Sequence, residues 1–174
     1  MLDSYKNMSL KVYQFYKYVA QSGNYYDYVM KVDDDSYINI DVLASSIPLL
    51  PKNWVRYGFF WYDIEKEDSS SKYYDSLYKI GSTYPVYAAG PGHLSSFDIV
   101  KFIDSMERPL IVQNDDVNVG KYFGRYHKVV TVLKMFGVMQ LIYCVSMTTV
   151  STEVSICVVL RIEKIHLTLL CLLT

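Results

Sequence analysis

From Tyr26 to Val32 the chain reads Tyr-Asp-Tyr-Val-Met-Lys-Val and runs directly into Asp33, Asp34 and Asp35. A short aromatic and β-branched run, interrupted only by Asp27 and Lys31, predicts a strand buried on both faces. Such a strand belongs inside a sheet that has cover on each side, and this points to a layered α/β architecture. The acidic run then lies at the carboxyl end of the strand, where open α/β sheets bind ligands. Alternate strand residues share a side, so Asp33 and Asp35 are expected to point together into a crevice and Asp34 the other way. Carboxylate oxygens suit hard cations such as magnesium or manganese. Taken alone, the run would equally serve to cap a turn or a helix.

Helical and strand signals alternate along the rest of the first two thirds. Met8, Val12, Phe15, Tyr16 and Val19 form one stripe of a helix that Ser22-Gly23-Asn24 stops. Asp41 is expected to cap a short helix through Val42, Leu43 and Ile47, closed by Pro48 and Pro51. Trp54 to Phe60 predicts a second strand, Asp63 to Lys72 a surface loop, and Val86 to Ala89 a third strand. Gly90-Pro91-Gly92 predicts a tight turn, after which Ser95 or Ser96 caps a helix with Ile99, Phe102, Ile103 and Met106 on one face. A last helix is expected to open at Asn114 and continue through Val117 to Tyr122.

With 174 residues, about half of them apolar, one compact domain is expected. The 17 basic and 18 acidic side chains leave a net charge of −1, which provides no field for nucleic acid or an anionic membrane. Most of the 18 tyrosines are expected in packing, although their rings also suit stacking against sugars. Cys144, Cys157 and Cys171 show neither a disulfide framework nor zinc spacing. Residues 1 to 20 lack a continuous apolar run, so neither a signal peptide nor an anchor is expected there. Asn7-Met8-Ser9 matches a glycosylation sequon, with Met8 on the apolar stripe.

Four ordered blocks give these elements a family. Tyr28 to Asn39, which contains the acidic run, resembles the strand and Asp-x-Asp segment of the β-1,3-galactosyltransferase family, which includes N-acetylglucosaminyltransferases and Fringe-like enzymes. Asp3 to Lys11 is similar to that family's Asp-x-Tyr-x-Asn-Leu-Thr-x-Lys helix opening. Tyr84 to Ser95 resembles its Tyr-Pro-x-Tyr-x-x-Gly-x-Gly-Tyr-x-Leu-Ser segment, and Asn114 to Gly120 its Glu-Asp-Val-x-x-Gly motif. The blocks span about residues 3 to 126. Pro91 and His93 stand where glycine and tyrosine are usual, and Ser22 and Ala88 or Ala89 occupy regions where family members commonly carry cysteines.

The resemblance implies a partial GT-A, Rossmann-like glycosyltransferase domain, a mixed sheet flanked by helices, over residues 1 to 128. It implies a hexosyltransferase that moves a galactose- or N-acetylglucosamine-type sugar from a UDP-sugar donor to a hydroxyl of a glycan, glycoprotein or glycolipid, with inversion. It implies Mn2+ or Mg2+ as cofactor, held by Asp35 and Asp33, with Asp116 as the base that takes the acceptor proton. Asp33, Asp34, Gly90, Gly92 and Asp115 are the expected substrate-binding positions. By themselves, Asp115 and Asp116 would also suit capping of a helix N-terminus, whose dipole would keep Asp116 ionised but make it a weaker base. Gly90 and Gly92 would also suit a simple turn. Family members carry a histidine as third metal ligand; His127 is the nearby candidate, closer than the usual spacing, and His166 a weaker one. A Golgi enzyme, facing the lumen and anchored through a segment not in this chain, is the implied setting.

Residues 129 to 174 match none of these blocks and form an apolar tail with no assignable element. Residues 135 to 152 are uncharged, yet their serines and threonines make a poor membrane span. Two other readings stand beside transfer. The chain could be a non-catalytic sugar- or metal-binding relative, or an inactive truncated product whose missing front strands leave a sheet edge unpaired.

Overall fold

The computed structural model describes residues 7–33, 36–71, 73–78, 81–107, 111–125, 131–134, 142–144, 155–161 and 166–171. Helix α1 (Met8–Gln21) carries the expected stripe, with Met8, Val12, Phe15, Tyr16 and Val19 all buried. Gly23 follows in the left-handed conformation at φ 75°, which ends the helix without a Cβ penalty. Two of the three sequon residues at its start are packed inward: Met8 and Ser9 are buried, and the Ser9 hydroxyl donates to the Gln113 carbonyl at 3.0 Å.

Strand β1 (Tyr28–Asp33) is buried until its last residue. Strand β2 (Ser36–Ile38) and helix α2 (Ile40–Ser46) follow, and a 3-10 turn at Ile47–Leu49 contains Pro48. Asn39, rather than Asp41, caps α2, its side chain accepting from the Val42 N–H at 3.1 Å. Asp41 lies inside the first turn, where its charge favours the helix dipole instead.

Strand β3 (Val55–Trp61) occupies the expected place. Strand β4 (Tyr87–Ser96) does not stop at residue 89; it continues through Gly90-Pro91-Gly92, where a turn was expected. Pairing on both sides overrides the local turn chemistry. Val32 opposes Gly92 and Lys31 opposes His93 on β1, while Gly58 opposes His93 on β3. Pro91 has no N–H to contribute, and the β3–β4 register shifts between Gly58 and Phe60 alongside it.

Helix α3 (Phe97–Asp104) starts after Ser96, whose hydroxyl makes no cap bond to the helix. That hydroxyl instead accepts from the Val55 N–H at 3.1 Å and donates to Asp98, fastening α3 to β3. Helix α4 (Asp115–Arg125) opens as expected at Asn114, whose side chain accepts from the Val117 N–H at 3.4 Å.

The described residues of the tail, to which the sequence assigned no element, form short strands. β5 (Thr131–Lys134) pairs parallel with β3, β6 (Ile142–Cys144) pairs with β2, and β7 (Ser155–Arg161) and β8 (His166–Cys171) form an antiparallel pair. β7 lies antiparallel along β1, so the six-stranded sheet runs β5-β3-β4-β1-β7-β8 and the second edge of β1 is paired. No helix among the described residues is long and apolar enough to cross a membrane.

The sheet is mixed and covered on both faces. Val29 of β1 packs with Phe15 and Val19 of α1, Ile99 and Ile103 of α3, and Val119 and Tyr122 of α4. Tyr28, Met30 and Val32 face the other way, against Leu43 of α2 and Ile47. This α/β layering is the mixed sheet flanked by helices that the resemblance implies, and it leaves the carboxyl end of β1 beside the amino end of α4.

Candidate functional site

Lys31 is the centre of the site. Its parity on β1 points it towards the α4 side, and its side chain is only 3% exposed. Its Nζ lies 2.7 Å from Asp33 Oδ1, 3.0 Å from Asp115 Oδ2 and 3.3 Å from Asp116 Oδ1. The bond to Asp116 is an aligned hydrogen bond, whereas Asp115 Oδ2 is a charge contact without hydrogen-bond geometry. One ammonium thus joins the strand end to the helix start, two segments separated by 85 residues of sequence.

Three carboxylates around one cation leave an excess of negative charge in a place poor in water. Asp33 is 34% exposed, but Asp115 and Asp116 are only 16% and 13% exposed. Burial pushes the Asp116 carboxyl up to about 7; Lys31 pulls it down, and Asp115 and Asp33 add to the rise. This reverses the expectation that the helix dipole governs Asp116, because desolvation outweighs a terminal dipole at a buried position. Burial works against the charge on Lys31, yet Asp116, Asp115 and Asp33 hold its pKa well above the ordinary lysine value.

Several residues that sequence reasoning did not single out position α4. Asp75, buried in the segment before β4, accepts from the Asn114 N–H at 3.1 Å and from the Leu77 N–H at 2.9 Å. Asn118 accepts from the Val112 N–H at 3.1 Å and donates to Tyr122 Oη at 2.6 Å. At Gly120 an added Cβ would lie 2.4 Å from the Val86 carbonyl oxygen and 3.1 Å from Tyr87 Cβ, so α4 rests directly on the main chain that enters β4. Tyr87 is close enough to Asp116 that, after burial, this carboxylate is the next cause raising its pKa. The one signal available for Lys31 was its charge in an otherwise apolar strand; for Asp75 there was none.

The structure therefore brings together Asp33, Asp115 and Asp116. Gly92 lies inside β4 opposite Val32, and Gly90 lies two residues earlier in the same strand. Asp34, Asp35 and His127 lie outside the described residues, and His166 pairs with Arg161 between the last two strands. Among the described residues no group of three or more His, Cys, Asp or Glu is placed to hold a metal ion. Asp33 nevertheless offers a hard, partly exposed oxygen donor at the strand end, and its chemistry fits a divalent cation.

A model of the galactosyltransferase family matches residues 1–131, three quarters of the chain and all of the site just described. The chain belongs to the galactosyltransferase family. Among its relatives, mouse UDP-GalNAc:beta-1,3-N-acetylgalactosaminyltransferase 2 is 30% identical over 124 residues, which are 69% of this chain and 24% of that protein. Mouse beta-1,3-galactosyltransferase 1 is 32% identical over 126 residues, 68% of this chain and 38% of that protein. The human N-acetylgalactosaminyltransferase 2 is 29% identical over 124 residues, again 24% of its length. The chain thus spans about a quarter to two fifths of these galactosyltransferase relatives.

Proposed function

We propose that this chain carries the acceptor-base half of a hexosyltransferase site that moves a sugar from a UDP-sugar to an acceptor hydroxyl with inversion, in protein or lipid glycosylation. The observation that carries the reading is the convergence of Asp116 on Asp33 through Lys31. Inverting transfer requires a base on the acceptor side of the anomeric carbon and neutralisation of the leaving diphosphate on the other, in line. Asp116 is the base. A carboxyl at about 7 is matched to proton uptake near neutral pH, which an ordinary aspartate is not.

Asp116 accepts the proton of the acceptor hydroxyl as that oxygen bonds to the anomeric carbon and the bond to the diphosphate oxygen breaks. Lys31 is also within ion-pair distance of Asp33 and Asp115, so its charge has partners when Asp116 is neutral. Asp33 and Asp35 would hold Mn2+ or Mg2+, which when bound supplies positive charge to the diphosphate. Asp34, Asp115, Gly90 and Gly92 complete the donor side of this reading, and a lumenal face of the Golgi membrane is its cellular setting.

The test is calorimetric titration of UDP-galactose, UDP-N-acetylglucosamine and UDP-N-acetylgalactosamine with and without Mn2+. Manganese-dependent binding should disappear in Asp35→Ala and persist in Asp116→Asn, which should transfer nothing. Unchanged donor binding in Asp35→Ala would overturn the metal assignment, and full turnover in Asp116→Asn would overturn the base.

A further inference from the structure

On the α1 and α4 side of the sheet there is a second polar cluster, which sugar transfer does not use. Arg56 on β3 is directly opposed by Ser95 on β4, and His93, two residues along β4, is opposed by Gly58. Three polar side chains therefore project from adjacent positions of one sheet face. Arg56, His93 and Ser95 are all among the most buried residues of the chain, each 2% exposed or less. Phe60 and Phe123 lie over the guanidinium, with ring centroids 5.3 and 5.7 Å from it, and Tyr16 of α1 reaches His93.

The cluster is cationic and rich in donors. Tyr16 Oη lies 3.3 Å from His93 Nε2 and donates to it in the tautomer that carries its proton on Nδ1. Arg56 Nε and Nη2, His93 Nδ1 and the Ser95 hydroxyl then present hydrogens, and none of these buried atoms has a hydrogen-bond partner among the described residues. Burial lowers the Arg56 pKa to about 10, so the group remains a cation at neutral pH. No carboxylate among the described residues stands within ion-pair distance of it, and Asp116, the carboxylate that acts on it after Tyr16, is held by Lys31. Burial and the neighbouring cations Arg56 and Lys31 keep His93 neutral, so the cluster carries a single positive charge.

An uncompensated buried cation is strongly destabilising, and so is a set of buried donors with nothing to accept from them. A water molecule could donate to Ser95 Oγ, but it would leave the charge of the guanidinium uncancelled. A spherical monovalent anion only accepts, and it cancels one charge. We propose that Arg56, His93 and Ser95 form an internal binding site for a small monovalent anion of the halide class, such as chloride, which ties β3 and β4 to the helices above them.

The test is thermal unfolding of the whole chain at pH 7.5 in sodium chloride, sodium bromide or sodium methanesulfonate at equal ionic strength. At a halide concentration ten times the dissociation constant, the folded-to-unfolded ratio rises about elevenfold. For a chain of this size that is roughly 3 to 6 °C in Tm. Arg56→Met keeps much of the volume between the two phenylalanines and removes the charge; it should fold and lose the halide dependence. Ser95→Ala, a smaller change, should reduce the halide shift at little cost to folding. Equal Tm in the three salts would overturn the site, as would a halide shift undiminished in Ser95→Ala or kept in Arg56→Met, which would mark a general salt effect.

Discussion

Asp116→Asn should stabilise the fold while abolishing transfer. The displacement of the Asp116 pKa from 3.8 to about 7 corresponds to about 4 kcal/mol at 1.36 kcal/mol per pH unit. The sign follows from which state holds the proton. As pH rises from acid, the unfolded chain releases this proton near 3.8 while the folded chain keeps it to about 7, so stability falls across that window and stays lower above it. Asparagine has the shape of the protonated acid, and its Oδ1 can still accept from Lys31. The variant should therefore match the parent near pH 4 and exceed it at pH 8, with about 4 kcal/mol as the ceiling. That ceiling corresponds to roughly 8 to 16 °C in Tm. Urea unfolding followed by far-UV circular dichroism at pH 4, 6 and 8, with equal m values, measures the difference. A variant no more stable than the parent at pH 8, or a gain that does not vary with pH, would refute the argument that burial dominates this carboxyl.

Lys31→Met should do the opposite, leaving Asp115 and Asp116 buried beside Asp33 without a cation. The loss expected at pH 8 is about 3 to 5 kcal/mol, read from urea midpoints, and it should shrink at pH 5 as the carboxyls take up protons. In transfer assays, kcat should rise with pH through about 7, and a conservative Lys31→Arg should move that limb without removing it. Gly120→Ala gains about 1 kcal/mol of helix propensity but places Cβ 2.4 Å from a carbonyl oxygen. A net loss of about 1 to 2 kcal/mol by thermal melting is expected because the obstacle is backbone, which yields less readily than a side chain.

The parts of the fold that could be read from sequence are those with local causes. The α1 stripe, the β1 run and the Asn114 opening of α4 each follow from residues within a few positions of one another. Gly90-Pro91-Gly92 misleads for the same reason: its turn chemistry is local, while the pairing that straightens it comes from Lys31, Val32 and Gly58. β7 shows no clear period of its own, and its place is fixed by pairing along β1. At the site, Asp33, Asp115 and Asp116 were legible through their motifs. Their common partner Lys31 was visible only as an odd charge, and Asp75 holds Asn114 from 39 residues away. The elevated carboxyl of Asp116 depends on burial, which no short window of sequence carries.

Because α4 rests at Gly120 on the carbonyl of Val86, main chain sets how closely the helix approaches β4, while Asp75 holds its first turn. Mutational drift can therefore change the exposed tyrosines of the segment before β4, provided Asp75 is kept, without carrying the acidic pair out of register. Part of the constraint on inheritance thus falls on one missing methyl group, beside the carboxylate of Asp75 that holds the start of the helix.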